Sequence, residues 1–335
     1  MCTTCGTWSD IWGEAGLCFG GEVYRPWMQE LVTARACGRS SRSQRSTSIW
    51  HARPVKVGRD DEDRTEIRDV SERLIPELAT PPVSAPGICP RCSTWTPASD
   101  TFGAMDEPLA DDRRLAGDSG SALTALLLCE NCVEAQAALD REPLALSVIS
   151  LYRKPSPLRD VLTRYKGRDD EDDPFDPRCV AIARSMLGRY LLEHGDRLLE
   201  VAGGIDGIVV VPSTQRPPPH PLEGLVDSLK LELPRWPMLE RGAGTLGFRR
   251  PNQEGYRVIM RRKPSRVLLL DDVYTTGSRL NSAAAALSQD NHTTVTALVL
   301  ARRINTGYAP EASKLWSDAT AKPYNWQASP RTVAS

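Results

Sequence analysis

The sequence lacks an excess of charge of either sign. Its 335 residues contain 42 lysines and arginines against 43 aspartates and glutamates, which gives a formal net charge of −1. A chain-wide excess of positive charge is the simplest route to binding nucleic acid or an anionic membrane, and this chain does not have one. Its length is that of about two domains.

Long apolar runs are missing as well. The longest, such as 123–129 and 267–270, are far shorter than the ~20 residues that cross a bilayer. The first residues, MCTTCGTWSDIW, contain neither the basic region nor the apolar region of a signal peptide. We therefore expect a cytoplasmic protein that does not contact a membrane.

Catalytic motifs built on histidine or on a nucleotide phosphate loop are absent too. The four histidines are dispersed along the chain, so the sequence does not support a Ser-His-Asp triad. No Gly-x-x-x-x-Gly-Lys-Ser/Thr segment occurs, which argues against a nucleoside triphosphatase. Proline, in contrast, is plentiful: its 26 residues exceed the average share of about 5% and predict a large fraction of loop.

The pattern of apolar residues divides the chain into four regions. Residues 1–86 show little periodicity and are expected to be mostly disordered, except for a short helix within 65–78. Residues 87–143 are organised around two cysteine pairs and predict a small zinc-knuckle module. Residues 144–305 form the main domain, and residues 306–335, which follow no period, are expected to be a loose tail.

The main domain alternates strand and helix signals. Short β-branched runs such as GIVVVP at 207–212 and VLLL at 267–270 are typical of buried parallel strands. Segments with helical spacing of apolar residues lie between them, the longest at 178–201. This alternation predicts an α/β fold in which a parallel sheet carries helices on both faces.

The residues that carry the chemistry lie at 266–282, RVLLLDDVYTTGSRLNS. The predicted strand ends in Asp271 and Asp272, and a turn of small polar residues at 275–278 leads into a helix. Ligands of open α/β sheets bind beyond the carboxyl ends of the strands. Such a turn at a helix N-terminus suits a phosphate, whereas two carboxylates suit sugar hydroxyls and Mg²⁺. The segment therefore predicts a ribose 5-phosphate site; a solvated Asp-Asp turn explains the acids but not the Thr-Thr-Gly-Ser turn.

This segment resembles the phosphoribosyl pyrophosphate (PRPP) motif of type I phosphoribosyltransferases, which is a hydrophobic run, two acidic residues and a Thr-Gly loop. The resemblance implies that Asp271 and Asp272 are catalytic residues that bind the ribose hydroxyls. It also implies a 5-phosphate loop made of Thr275, Thr276, Gly277 and Ser278. Arg279 stands where the motif usually has threonine or serine, and its guanidinium either pairs with the phosphate or points away.

The wider layout resembles the ComF-like (competence protein F) phosphoribosyltransferase-like family, in which a four-cysteine zinc module and a Lys-Gly segment precede the PRPP motif. The Lys-Gly segment here is LTRYKG at 162–167. In type I enzymes the loop after an earlier strand holds pyrophosphate, so the resemblance implies pyrophosphate contacts from Ser213, Thr214 and Gln215. The alternative for this segment, PSTQRPPPHP, is a plain proline-rich surface loop.

Two Cys-x-x-Cys pairs, Cys89/Cys92 and Cys129/Cys132, are separated by 36 residues. Zinc takes four thiolates in a tetrahedron, and two such turns supply them if the intervening loop folds back. The separation exceeds the usual ~15–20 residues, but closing a longer loop costs little more free energy. The pattern predicts a structural zinc ion, with free thiols or a redox pair as the alternatives.

The two resemblances imply a phosphoribosyltransferase, a glycosyltransferase of the pentosyl type. It would move the ribose 5-phosphate of PRPP to a nucleobase-type acceptor and release pyrophosphate, whose charge Mg²⁺ neutralises. The sequence identifies neither the acceptor nor a general base nor an oligomeric state. The alternative is a binding module that senses PRPP without turnover. Its zinc knuckles and the basic block at 35–56 would bind nucleic acid, in line with the family's link to DNA uptake or repair.

Overall fold

The computed structural model describes residues 55–96, 128–167, 174–213, 219–260 and 262–333. In chain order its elements are α1 (Asp61–Glu72), a 3-10 turn (Ile75–Glu77), α2 (Glu130–Leu139), β1 (Leu146–Tyr152), α3 (Pro157–Arg164), α4 (Pro177–Val201), β2 (Gly207–Val210), α5 (Pro221–Ser228), β3 (Leu239–Arg241), β4 (Tyr256–Val258), β5 (Arg266–Tyr274), α6 (Ser278–Gln289), β6 (Thr293–Arg303) and α7 (Pro310–Thr320). The predicted disorder of residues 1–54 lies outside the described residues, and so does nearly all of the basic block.

A four-stranded sheet in the order β1-β6-β5-β2 forms the centre of the structure, and all of its neighbouring strands are parallel. Parallel neighbours require crossover connections, and the predicted helices supply them. Along β2 and the residue that follows it, Ile208 and Val210 pack into one apolar cluster, whereas Val209 and Val211 pack into a second one. Both faces of the sheet are therefore covered, which confirms the predicted α/β class.

The helices divide between the two faces. The first cluster contains buried residues of α1, α3, α4 and α5, and the second contains residues of α2, α6 and α7. Gly188 lets α4 lie close to its neighbours, because a Cβ there would be 2.9 Å from Leu229 and 3.0 Å from Ile67. Within the described ranges, no helix has both the length and the apolar character needed to cross a membrane.

Residues 55–86 complete the core, which corrects the expectation of a mostly disordered N-terminal region for this part of the chain. Helix α1 begins at Asp61 rather than at Thr65, because the side chain of Asp60 accepts a hydrogen bond from the N–H of Asp63 at 2.9 Å and caps the helix. Ile67 is fully buried in the first apolar cluster. The apolar residues here are too few for a core of their own, but they suffice to finish the core of the main domain.

The predicted loose tail is wrong. Helix α7 buries Leu315, and beyond it Tyr324 and Trp326 lie inside the first apolar cluster. The hydroxyl of Tyr324 donates to the carbonyl of Ile149 at 2.8 Å, and the indole of Trp326 donates to the carbonyl of Ser71 at 3.2 Å. Single aromatic anchors hold this segment, so it shows no periodic pattern in the sequence.

Two distant segments pair with the edge strand β1. Ala79 forms an antiparallel bridge with Leu151, and Arg331 forms another with Val148. Because both segments run along the side of β1 that β6 leaves open, the edge of the sheet is covered by chain from before and after the main domain.

The segment between α5 and β5 contains an antiparallel hairpin of β3 and β4, which a long loop connects. In the connection, the N–H of Asn252 donates to the hydroxyl of Ser282 in α6 at 2.8 Å. The hydroxyl of Tyr256 in β4 donates to the carbonyl of Pro212, which follows β2, at 3.1 Å. We call residues 242–255 the hairpin loop.

Candidate functional site

Strand β5 continues beyond the predicted 267–270 and includes both aspartates. Its pairing with β6 extends through Asp271, opposite Val299, to Tyr274, opposite Arg302. Because successive side chains of a strand point to opposite faces, Asp272 points to the α3 face and Asp271 to the α6 face. Both are fully buried, with 1% and 0% of their surface exposed for Asp271 and Asp272, respectively.

Asp272 is held by three donors. The hydroxyl of Tyr165 donates to its Oδ2 at 2.7 Å, the ammonium of Lys166 forms an ion pair with the same oxygen, and the N–H of Val273 donates to Oδ1 at 2.7 Å. Burial by itself would raise the pKa of Asp272. The positive charges of Lys166 and Arg279 and the hydrogen bond from Tyr165 outweigh it, so this pKa lies below its ordinary value and the group is a carboxylate.

Asp271 faces Arg279. The guanidinium Nη2 of Arg279 donates to Oδ1 of Asp271 at 2.7 Å, and the N–H of Asp272 donates to the same oxygen at 2.9 Å. Burial raises the pKa of Asp271 to about 7; Arg279 opposes this effect, and the negative charge of Asp272 adds to it. Arg279, the departure from the family motif, thus pairs with the first acid of that motif.

A tight turn carries the chain from β5 into α6. Gly277 caps the helix with φ at +84°, a conformation that favours glycine, and a Cβ there would lie 2.6 Å from Cζ of Tyr274. The hydroxyls of Thr276 and Ser278 lie 3.2 Å apart, and both the backbone N–H and the side-chain amide of Asn281 donate to the carbonyl of Gly277, at 2.9 and 3.0 Å. The turn therefore presents two hydroxyls and the first N–H groups of α6 together, as a phosphate requires.

These residues line a cavity of about 310 Å³ at the carboxyl ends of the strands. All of the predicted residues from the PRPP motif contribute to it: Asp271, Asp272, Thr275, Thr276, Gly277, Ser278 and Arg279. Two acidic side chains line the cavity, against five basic ones. The basic ones are Lys154, Arg159, Lys166, Arg279 and Arg303. Arg159 has an acid of its own outside the cavity lining, since its Nη1 lies 3.1 Å from Asp160. The excess of cations favours a ligand with several negative charges.

Of the predicted pyrophosphate residues, only Ser213 lies within the described part of the chain. Ser213 follows β2 at the same edge of the sheet, but it is not among the residues that line the cavity. Thr214 and Gln215 lie outside the described residues.

In the hairpin loop, Arg249 forms an ion pair with Glu130 of α2 at 2.8 Å, and its backbone N–H lies 3.4 Å from the hydroxyl of Thr276. Its guanidinium is thus engaged with α2.

Several residues of the cavity carry no motif in the sequence. Lys154, Arg159 and Arg303 reach it from the end of β1, from α3 and from the end of β6. Among the basic residues of the cavity outside the PRPP motif, only Lys166 was marked by the sequence. It lies in the Lys-Gly segment of the ComF-like resemblance, which assigns it no role. Tyr165 precedes Lys166 in that segment, and its hydroxyl reaches Asp272.

A second cluster of chemistry-bearing side chains lies next to the turn. Cys89, Cys92, Cys129 and Cys132 are all buried, and their four sulfurs lie within 4.8 Å of one another. The sulfurs of Cys89 and Cys132 are 3.7 Å apart, and those of Cys92 and Cys129 are 3.4 Å apart. Four sulfurs at about 2.3 Å from a tetrahedral zinc ion stand about 3.8 Å from one another. The four cysteines therefore fit a zinc ion, which would fix the fold of this module.

Two buried arginines accompany the cysteines. Burial by itself would lower the pKa of Arg302, but Cys92, Tyr274 and the other sulfurs outweigh it and raise this pKa. Arg331 holds the turn between the first two cysteines by donating to the hydroxyl of Ser93 at 2.5 Å and to the carbonyl of Pro90. A zinc ion with four thiolates would have a net charge of −2, which the two guanidinium groups would balance inside the core.

Comparisons with known proteins add structural neighbours only. No protein-family profile matches the chain, and no curated protein matches it. The fold is similar to that of adenine phosphoribosyltransferase from Trypanosoma brucei, solved with AMP, pyrophosphate and ribose-5-phosphate, at 15% identity over 46% of this chain and 82% of that one, with a TM-score of 0.28. It is also similar to adenine phosphoribosyltransferase from Leishmania tarentolae, at 13% identity over 51% and 94%, with a TM-score of 0.27. At this level of overlap, function has to be argued from the cavity itself.

The surroundings of the two carboxylates bear on the expected Mg²⁺. Mg²⁺ takes oxygen ligands in an octahedron and binds through ionised carboxylates that face it. Here Asp271 is paired with Arg279 and Asp272 with Lys166, so both negative charges are already balanced by the protein. As they stand, these two side chains do not fit a directly bound Mg²⁺.

Proposed function

We propose that this cavity binds PRPP and that the protein transfers its ribose 5-phosphate to a nucleobase-type acceptor, with release of pyrophosphate. One observation supports this most: a phosphate-binding turn and a pair of buried carboxylates line the same cation-rich cavity at the end of β5. This arrangement corresponds to the PRPP motif. A phosphorylated ribose is the ligand that would contact both the turn and the two carboxylates.

Each part of the cavity has a role in this reaction. The hydroxyls of Thr276 and Ser278 and the N-terminus of α6 would hold the 5-phosphate. Asp271 and Asp272 would accept hydrogen bonds from the 2′- and 3′-hydroxyls, which orients the anomeric carbon. Their negative charges would also favour the positive charge that develops at this carbon as the bond to pyrophosphate breaks.

The leaving pyrophosphate would lie toward the basic side chains on the α3 side of the cavity. Lys154, Arg159 and Arg303 lie there, at the ends of three different elements. Such preorganised cations stabilise developing charge on a leaving group without a cost of reorganisation at the moment of reaction.

The reduced thiols of a cysteine–zinc site suit the cytoplasm, where we place the protein.

Binding of PRPP without turnover is the second candidate, and one observation favours it. Both carboxylates of the cavity are paired with cations, so neither stands free to act as a general base for an acceptor. The two candidates differ in whether the addition of any nucleobase leads to the release of pyrophosphate.

Calorimetric titration with PRPP, followed by a pyrophosphate-release assay with a panel of nucleobases, tests both candidates. Asp272→Asn should weaken PRPP binding by about tenfold or more, since a hydrogen bond to a charged group contributes about 1.5–3 kcal/mol. Asp318→Asn, which changes an exposed carboxylate paired with Lys314 in α7, is the matched control and should bind like the wild type.

Ser278→Ala gives a second test that leaves the buried ion pairs in place. It removes a hydroxyl at the start of α6 and should weaken the binding of PRPP and of ribose 5-phosphate alike. If Asp272→Asn and Ser278→Ala, both shown by thermal unfolding to be folded, bind PRPP as the wild type does, the proposed site is wrong.

A further inference from the structure

The two carboxylates at the end of β5 face two different cations of the protein. On the α6 side, Arg279 Nη2 lies 2.7 Å from Oδ1 of Asp271. On the α3 side, Lys166 forms an ion pair with Oδ2 of Asp272, which also accepts the hydroxyl of Tyr165 at 2.7 Å. The side chain of Lys166 is 19% exposed and that of Arg279 is 31% exposed, so each cation extends from the buried acid to the wall of the cavity.

Placing a divalent cation against these acids would disrupt both pairs. Removing one partner of a buried ion pair leaves the other charge uncompensated, which is strongly unfavourable. The remaining lining would not offset this cost, because the other charged side chains of the cavity, Lys154, Arg159 and Arg303, are positive. Among the described residues that line the cavity, the charges thus repel a metal ion and attract phosphate groups.

The paired carboxylates can still bind a sugar. An ionised carboxylate has about four acceptor positions, so it accepts a ribose hydroxyl in addition to an existing partner. The two cations would then lie beside the sugar, at the place where a metal ion would otherwise screen the negative charges of the acids and of the ligand. The positive charge next to the sugar would then come from side chains of the protein and not from a metal ion.

We propose that Lys166 and Arg279 take the place of a divalent cation in this cavity, so that PRPP binds without Mg²⁺. This inference rests on the proposed function and concerns the same site. It accounts for the arginine at 279, where the family motif usually has threonine or serine, because a threonine there would leave Asp271 without its cation.

Calorimetric titration of the full chain with PRPP, in metal-free buffer and again with millimolar Mg²⁺, tests the proposal. The buffer is passed over a chelating resin before the protein is added, because a soluble chelator would also strip the cysteine site. For the wild type, the two dissociation constants should agree within about threefold, or about 0.65 kcal/mol. Lys314→Met, which removes an exposed lysine of α7, should behave like the wild type.

The double variant Lys166→Met/Arg279→Thr frees both carboxylates and should acquire a metal requirement. Its affinity for PRPP in metal-free buffer should fall by at least about tenfold, or about 1.4 kcal/mol, and Mg²⁺ should restore much of it. Lys166→Arg keeps the charge and should remain independent of Mg²⁺; it also serves if the double variant does not fold.

The outcomes separate the inference from the proposed function. Wild-type binding of PRPP that appears only with Mg²⁺ overturns the inference and leaves the proposed function standing. A Mg²⁺ requirement in Lys166→Arg equal to that of the double variant also overturns it. Failure to bind PRPP in either buffer overturns the proposed function, and the inference with it.

Discussion

The guanidinium of Arg302 joins the cysteine cluster to the turn between β5 and α6, since its Nη1 lies 3.4 Å from the carbonyl oxygen of Thr275. Its carbon Cζ lies 4.9 Å from the centre of the Tyr274 ring, and Arg302 itself is 2% exposed. The sulfurs of Cys92 and Cys129 attract the same guanidinium. The cysteine module and the cavity are therefore neighbours that share a buried cation.

Arg302→Met should weaken PRPP binding while leaving the metal content unchanged. The variant keeps the volume of the side chain but loses the donor that fixes the carbonyl of Thr275, so we expect a fall in affinity of about tenfold. Arg302→Lys should recover part of that loss because it restores the charge. Titration with PRPP and elemental analysis for zinc measure the two effects. A loss of zinc in Arg302→Met would show instead that the arginine acts mainly on the cysteine site.

Zinc should be found in the purified protein and should depend on the clustered cysteines. Cys132→Ser removes one of four ligands, and the loss of metal should lower the midpoint of thermal unfolding by more than about 10 °C, because several kcal/mol of binding free energy stabilises only the folded state. Cys179→Ser is the matched control, since Cys179 is buried in α4 away from the cluster. Equal zinc content in the two variants would contradict the site.

Gly277→Ala should disrupt the turn in two ways, through backbone strain and through a steric clash. The residue has φ at +84°, which costs about 1–3 kcal/mol for a side chain other than glycine, and the new methyl group would meet Tyr274. Gly204→Ala is the control, because φ there is +99° while a Cβ would meet no atom within 4 Å. Only Gly277→Ala should lose PRPP affinity. Equal losses of stability and equal PRPP affinities in the two variants would contradict a tight turn at 277.

Trp326→Ala should unfold far more easily than the wild type. The indole is 1% exposed in the first apolar cluster, and removing a buried tryptophan costs about 3–5 kcal/mol. Trp316→Ala, in which the lost indole is only half-buried on α7, should cost much less. Urea denaturation of the two variants measures the difference, and similar midpoints would mean that the C-terminal segment does not pack as described.

The protein should lose stability in mild acid through His194. The imidazole Nε2–H donates to the carbonyl of Trp326 at 2.7 Å, and burial lowers the pKa of this histidine below its ordinary 6.5. The unfolded chain then binds more protons below pH 6.5. The stability that a neutral His194 provides is thus complete above pH 6.5 and is lost as the pH falls through 6.5 toward the lower pKa of the folded state.

Thermal unfolding of the wild type and of His194→Gln across pH 8 to 5 measures this contribution. The midpoint of the wild type should fall more steeply than that of the variant, because glutamine retains a donor but does not take up a proton. Parallel curves for the two proteins would assign the acid sensitivity to groups other than His194.

The strands and the turn between β5 and α6 follow from local sequence. The run at 207–212 and the run at 267–270 form neighbouring parallel strands, because short β-branched segments between turns have few other ways to bury their side chains. The turn at Gly277 is equally local, since a glycine between small polar residues and a helix fixes both its conformation and its neighbours.

Other features depend on contacts between distant residues and leave no local pattern. The partner of Asp272 is Lys166, more than a hundred residues away, and the pairing exists only because α3 and β5 meet at one edge of the sheet. Tyr324 and Trp326 are single anchors without periodicity, so the sequence predicted a loose tail. The length of β5 likewise depends on its neighbour β6, which pairs with it past the aspartates.

The covering of β1 has a consequence for how the protein is made. Ala79 precedes β1 in the chain and pairs with Leu151, whereas Arg331 follows the main domain and pairs with Val148. The part of the edge near Val148 therefore stays open during synthesis until residue 331 has left the ribosome. Until then, the unpaired N–H and C=O groups of β1 are a template on which another nascent chain could pair. A chain that stops at residue 305 would keep that template for its lifetime, which favours self-association.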